Sequence, residues 1–394
     1  MTEQPTDPPT DPALAGRKVL ILVSEDWYFC SHRLPLGRAL RAAGADVVVA
    51  CRVRDHGAAI RDAGLRLAPI GLDRSGLNPL RDLATIRKIL RLYRREKPDI
   101  VHHVALKPTL YGALCARLAG VPAVINALGG LGYMFASDAA TARLLRPLVK
   151  GALRLLLNRR NSRTILQNPD DMALFETGLG VRRDNLAMIR GAGVDVTQFR
   201  ATPFAEGTPV AVCVSRMLWD KGIRELVAAA RLLRDRGVAL RIRLVGPTDD
   251  NPASIPQATL DAWRADGLVE VAGPSEDIAG EYARAHIAVL PSYYGEGLPK
   301  SLLEAAACGR PMVATDWPGC REICRDGVTG LSVPPRRAEP LADALARLAG
   351  DPALREKLGA EARRVAEAEF AEPIVLAATL GVYRELLGGT SAKA

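Results

Sequence analysis

Long apolar runs, paired metal-binding residues and cofactor fingerprints are all missing from this chain of 394 residues. No run approaches the roughly 20 apolar residues needed to cross a bilayer. The first sixteen residues, with Pro5, Pro8, Pro9 and Pro12 among Thr, Asp and Gln, lack the apolar centre of a secretion signal. They read as a disordered tail. Seven cysteines, an odd number scattered through apparent strands and helices, suit buried thiols in a reducing compartment. Cys320 and Cys324 are the closest pair, and no second Cys or His pair stands at zinc spacing, so no metal is expected. No Gly-x-Gly-x-x-Gly follows the first strand with an acidic residue about 20 positions on, which argues against a dinucleotide dehydrogenase. These gaps predict a cytoplasmic protein.

What is present is a globular composition, 48% apolar and 25% charged, at a length that favours two domains. The net charge of +9 is uneven: residues 1–203 carry +12 and residues 204–394 carry −3. No helix-turn-helix, zinc-finger or RNA-recognition pattern accompanies the basic half, so nucleic acid is not the expected partner. An anionic membrane suits it better. Between Ala142 and Asn158, Arg143, Arg146, Lys150 and Arg154 form one helical stripe, opposite Leu145, Leu148, Val149, Ala152, Leu153 and Leu156. Such a helix can lie in a membrane interface or pack on its own domain. The basic stretch from Arg87 and Lys88 to Lys97 repeats that choice.

Strand signals alternate with helical stretches in two series, the pattern of parallel sheets covered on both faces. The first series is 18–24, 46–51, 99–104, 123–126, 164–167 and 187–189. The second is 210–215, 241–245, 269–272, 287–290 and 311–314. The segment Thr202 to Thr208 has the composition of a linker. The expected division is a tail over 1–16, domains over 17–203 and 204–372, and a final helix over 373–394. In such sheets ligands bind beyond the carboxyl ends of the strands.

One stretch carries most of the chemistry. Gly295-Glu296-Gly297-Leu298-Pro299-Lys300-Ser301-Leu302-Leu303-Glu304 follows a strand and runs into a buried helix. Pro299 suits a first helical position, and the N–H groups of Lys300 and Ser301 would face an anion at the helix start. Glu296, on the loop, and Glu304, inside the helix, can accept hydrogen bonds from sugar or ribose hydroxyls. On the first loop of the same series, Arg216 and Lys221 can reach one diphosphate, a fork of donors beside a point charge.

Glu296, followed by Gly297-Leu298-Pro299, and Glu304, followed by Gly309-Arg310-Pro311-Met312-Val313-Ala314-Thr315, resemble the carboxylate pair of retaining glycosyltransferases of family 4. That resemblance implies an α/β fold of the GT-B kind, two facing Rossmann-like doubly wound domains with an interdomain cleft and a last helix that crosses back to the first domain. It also implies roles. Glu296 would orient the donor sugar and Glu304 would hold the ribose, while Arg216 and Lys221 neutralise the departing diphosphate. The donor would also meet Gly297, Leu298, Pro299, Lys300 and Ser301, with Gly246, Pro247 and the loop Gly273-Pro274-Ser275 against the base. No Asp-x-Asp occurs, and glycosyltransferases that use a divalent metal usually hold it through such a pair, so none is expected.

In the first domain, Ser24 to Phe29 replaces the glycine-rich loop of many relatives, and His32 and Arg33 beside it could meet an acceptor phosphate. His102 and His103 share a strand, so only one can face the cleft, and His103 is preferred as the sugar contact. Lys107 and the loop Gly129-Gly130-Leu131-Gly132-Tyr133 complete a likeness to enzymes that extend sugars on undecaprenyl diphosphate in O-antigen, capsule or exopolysaccharide synthesis. The resulting expectation is transfer of a hexose or N-acetylhexosamine from a UDP-sugar to a lipid-linked saccharide at the inner membrane face. The alternatives are a UDP-sugar 2-epimerase of the same architecture and a non-catalytic UDP-sugar-binding membrane partner.

Overall fold

The structure is a computed structural model that describes residues 11–72, 79–130, 140–249 and 251–391. It divides into two compact units, the first holding the chain up to Ala192 and again from Val375, the second Gly193–Ile374.

The first unit is built on seven parallel strands in the order β3-β2-β1-β4-β5-β6-β7. These are β1 (Lys18–Glu25), β2 (Asp46–Arg52), β3 (Arg66–Pro69), β4 (Ile100–Val104), β5 (Ala123–Ala127), β6 (Ser162–Leu166) and β7 (Leu186–Met188). Strand β1 shows why both faces are covered. Val19, Ile21 and Val23 enter one core, and Leu20 and Leu22 enter another on the opposite face. The helix Glu372–Ser391 adds Val375, Val382, Tyr383, Leu386 and Leu387 to the first of these cores.

The second unit repeats the plan with six strands in the order β10-β9-β8-β11-β12-β13. They are β8 (Val210–Val214), β9 (Arg241–Val245), β10 (Glu270–Gly273), β11 (Ile287–Leu290), β12 (Met312–Thr315) and β13 (Gly330–Val333). In both sheets the order reverses beside the first strand, between β1 and β4 and between β8 and β11. Adjacent loops diverge there and leave a crevice at the carboxyl ends, the usual ligand position in such sheets.

The structure departs from the sequence reading in four places. Strands β3 and β13 were not anticipated, since β3 is a half-exposed edge strand of sequence RLAP and β13 is four residues that start at Gly330. The segment read as a linker is packed into the second unit, and the boundary falls earlier, at Ala192 and Gly193. Its Phe204 ring lies 4.7 Å from the buried Arg310 guanidinium, which donates to the Thr202 carbonyl at 2.7 Å. The helix Ala140–Leu157 does not keep its apolar side in one environment. Leu153, Leu156 and Leu157 are buried in the first unit, whereas Leu148 and Leu155 are 71% and 64% exposed. Leu145, Arg143 and residues 131–139 lie outside what is described. Finally, Pro299 is the residue before the helix Lys300–Ala307 rather than its first member, and its carbonyl accepts from the N–H groups of Leu302 and Leu303.

Candidate active site

The switch point of the second sheet gathers two loops. The loop after β8 runs from Ser215 through Arg216, buries Met217 and Leu218, and turns through Trp219–Lys221 into the helix Ile223–Asp235. Gly222 makes that turn with φ +73°, and a Cβ there would run into the Pro291 carbonyl. Only glycine meets both demands without strain. The two loops are also stitched by hydrogen bonds, from the Tyr293 N–H to the Asp220 carbonyl at 3.0 Å and from the Tyr293 hydroxyl to the Trp219 carbonyl at 3.0 Å.

That stitching brings Lys221 to Glu296. The Lys221 ammonium pairs with Glu296 Oε1, the Ser292 hydroxyl donates to the same oxygen at 3.2 Å, and the ammonium lies 5.3 Å from the Tyr294 ring centroid. Behind Glu296 stands Gly319, at φ +84°, where a Cβ would strike the carbonyls of Glu296 and Gly297. The loop after β12 therefore supports the Glu296 loop by direct backbone contact.

Arg216 pairs with Asp249, on the loop after β9. Burial works against the guanidinium charge, but Asp249 and, more weakly, Tyr294 and Glu296 more than offset it, so its pKa rises above the ordinary value. Arg216, Lys221 and Glu296 thus share one electrostatic neighbourhood. Glu304 is 7% exposed and takes Lys300 as its partner at 3.3 Å, one helical turn away. Burial pushes its pKa up, and Lys300 pulls against that shift. Gly297, Leu298 and Pro299 are buried, while Lys300 and Ser301 are half-buried at the helix start. Gly246 ends β9 with its N–H on the Gly273 carbonyl at 2.8 Å, and a Cβ there would meet the Ser215 carbonyl. Pro274 is exposed and Ser275 half-buried just after β10. This arrangement can hold a polyanion between two cations and present a carboxylate to hydroxyl groups beside it.

His103 does not fit the substrate-contact role expected of it. It is fully buried, with Nδ1 2.8 Å from Asn126 Oδ1 and Nε2 3.0 Å from the Tyr93 hydroxyl, and burial lowers its pKa to about 4. Both ring nitrogens are engaged by the core, so none remains for a sugar. His102 points to the other face of β4, where Nδ1 lies 2.7 Å from the Tyr383 hydroxyl. Sequence reasoning missed Asp249, Ser292 and Gly319. Only Asp249 left a usable signal, as an acid just after Gly246 and Pro247 at a strand's carboxyl end.

Residues 18–167 match the family described as glycosyl transferase 4-like, and residues 208–351 match glycosyl transferases group 1. Among curated proteins, the N,N'-diacetylbacillosaminyl-diphospho-undecaprenol alpha-1,3-N-acetylgalactosaminyltransferase of Campylobacter jejuni is 26% identical over 90% of this chain and 95% of its own. Several other curated relatives align over less than half of their own length. Among solved structures, a sucrose-phosphate synthase of Thermosynechococcus elongatus superposes with a TM-score of 0.78 at 20% identity, over 95% of this chain and 100% of that one. Anabaena HepE in complex with UDP and glucose does so at 0.74 and 17%, over the same shares. The two family matches, the full-length relative and the paired parallel sheets agree: the chain is a glycosyltransferase of the GT-B fold, with a glycosyl transferase 4-like first half and a group 1 second half.

Proposed function

We propose that this glycosyltransferase moves a hexose or N-acetylhexosamine, with retention, from a UDP-sugar to a saccharide on undecaprenyl diphosphate in the assembly of a surface polysaccharide. The observation that carries the reading is the pairing of Lys221 with Glu296 beside Arg216, at the switch point of the second sheet. The full-length relative's name, an N-acetylgalactosaminyltransferase acting on a diphospho-undecaprenol sugar, supports the acceptor class.

In this reading the acceptor oxygen bonds to the sugar's anomeric carbon as the bond to the diphosphate breaks, and the acceptor proton passes to a phosphate oxygen of departing UDP. Lys221, Arg216 and the N–H groups of Lys300 and Ser301 neutralise the growing charge, with no metal assigned a part. Glu296, released from Lys221 by the diphosphate, takes the sugar hydroxyls, and Glu304 takes the ribose. Gly246, Pro274 and Ser275 border the base.

The acceptor would be met at the inner face of the membrane. Among the described residues no helix is long and apolar enough to cross one. On the helix Ala140–Leu157, exposed Leu148 and Leu155 stand with exposed Arg154. On the helix Pro79–Glu96, Leu80 is 80% exposed among exposed Arg87, Lys88, Arg91, Arg94 and Arg95. Exposed leucines beside cations suit an anionic lipid surface.

The test is a donor screen that follows UDP release and product mass with undecaprenyl-diphosphate saccharides from membrane extract. UDP release that requires acceptor, with a glycosylated lipid as product, is expected. An epimerised UDP-sugar with no transfer would remove the reading.

A further inference from the structure

We infer that the first unit holds a binding site for a phosphate or diphosphate group, formed by the Arg33 guanidinium with His102 and Tyr383 beside it. This deepens the reading above by naming what the first unit grips in a lipid-diphosphate acceptor, and it rests on that reading for the carrier of the anion.

Arg33 stands between the helices Asp26–His32 and Leu34–Ala42, and only 7% of it is exposed. Its Nε is buried without a hydrogen-bond partner, and among the described residues no carboxylate pairs with the guanidinium. A buried charge is normally paired, because removing it from water is costly. Two other buried arginines, Arg310 and Arg355, also have nitrogens without a hydrogen-bond partner among the described residues, but each settles its charge on backbone carbonyls. Arg310 and Arg355 donate to the backbone carbonyls of Thr202 and of Leu348 and Ala349, and both lie within 6.0 Å of the Phe204 ring centroid. Among the described residues Arg33 has no such partners. The groups that feel its charge are the hydroxyls of Tyr28 and Tyr383 and the His102 ring.

His102 repeats the incompleteness. The ring is fully buried, Nδ1 is 2.7 Å from the Tyr383 hydroxyl, and Nε2 has no partner among the described residues. With the Tyr383 hydroxyl donating to Nδ1, the neutral ring keeps its proton on Nε2 and offers a second donor beside the arginine. A guanidinium fork and an imidazole N–H only donate, so they call for an acceptor, and the unpaired positive charge favours an anionic one. Phosphate geometry matches the fork. All three residues belong to the first unit, and Tyr383 reaches it from the helix Glu372–Ser391.

The experiment is titration of the full chain with inorganic pyrophosphate while UDP saturates the nucleotide site, on wild type, Arg33→Gln and Arg33→Lys. Thermal melts check that each variant folds, and Arg33→Lys keeps the charge without the fork. Wild type should bind pyrophosphate, Arg33→Gln should not, and Arg33→Lys should fall between. In transfer assays Arg33→Gln should raise the acceptor KM by about 10- to 100-fold without moving the donor KM, the scale of a lost hydrogen bond to a charged group. Unchanged pyrophosphate binding in Arg33→Gln overturns the site. So does loss of binding to phosphatidylglycerol vesicles with the acceptor KM unchanged, which would assign Arg33 to lipid headgroups. If wild type glycosylates no lipid diphosphate yet binds pyrophosphate through Arg33, the anion site stands and the acceptor class falls.

Discussion

The ammonium of Lys221 and the carboxylate of Glu296 meet across 75 positions of sequence, with side chains only 10% and 14% exposed. In the transferase reading each group stands in for a ligand group: the lysine holds a carboxylate where a phosphate would bind, and the glutamate holds a cation where hydroxyls would bind. Donor arrival in the transferase reading is therefore an exchange of partners, which lowers the cost of keeping both charges in a shielded crevice.

Lys221→Ala should cut kcat by about 2.7–4 kcal/mol of barrier, the scale of losing one donor to a developing oxyanion. Steady-state kinetics on purified enzyme decides it, and wild-type turnover would remove the assigned role. Because the pair is coupled, Glu296→Gln and Lys221→Ala together should cost less than the sum of the single changes.

Burial raises the Glu304 pKa from its ordinary value, and its charged form is the better acceptor of ribose hydroxyls. Donor KM should therefore fall as pH rises through that raised pKa, and Glu304→Gln should flatten this limb. A variant with the wild-type profile would dissociate Glu304 from the donor.

Gly319→Ala combines a left-handed backbone with a Cβ that meets two carbonyls, whereas Gly327, at φ +67°, has nothing within 4 Å. Strain alone should cost Gly327→Ala about 1 kcal/mol, and Gly319→Ala should exceed it and raise donor KM as well. Calorimetric melting and donor kinetics compare the two. Equal effects would remove the support attributed to the loop after β12.

Burial raises Asp171 to about 6 from 3.8, against its hydrogen bond from Asn168. A carboxyl with a raised folded pKa favours the fold while protonated in it, so its contribution is lost as pH climbs from about 4 to about 6. Asp171→Asn should remove this loss, on the order of 2–3 kcal/mol, leaving the variant less pH-dependent than wild type across that window. Melts at stepped pH measure the difference, and parallel curves would refute it.

Leu148→Ser with Leu155→Ser should weaken binding to anionic vesicles while leaving the melting temperature within a few degrees, because both leucines are solvent-exposed. Flotation assays with phosphatidylglycerol vesicles give the answer. Undiminished flotation would turn attention to the helix Pro79–Glu96.

The sequence carried the sheet architecture well because parallel strands buried on both faces are written as continuous apolar runs, as in Val19 to Val23 and Val47 to Cys51. It carried β3 and β13 poorly, since an edge strand with Arg66 and Pro69 and a four-residue strand starting at Gly330 have no such run. That Arg216, Lys221 and Glu296 stand together was legible because each follows a strand at its carboxyl end. His103 was misjudged for a general reason. Alternation shows that two neighbouring side chains face opposite ways, but it is silent on whether either face is open, and here helices cover both. Asp249 needed the pairing of β8 with β9 to be known before its reach to Arg216 could be inferred.

Residues 375–387 place Val375, Val382, Tyr383, Leu386 and Leu387 in the interior of the first unit. The order of synthesis and the order of completion are therefore inverted. The ribosome makes most of the first unit early, yet its interior cannot close until those late residues have been made, by which time the uninterrupted span Gly193–Ile374 already has all it needs to fold.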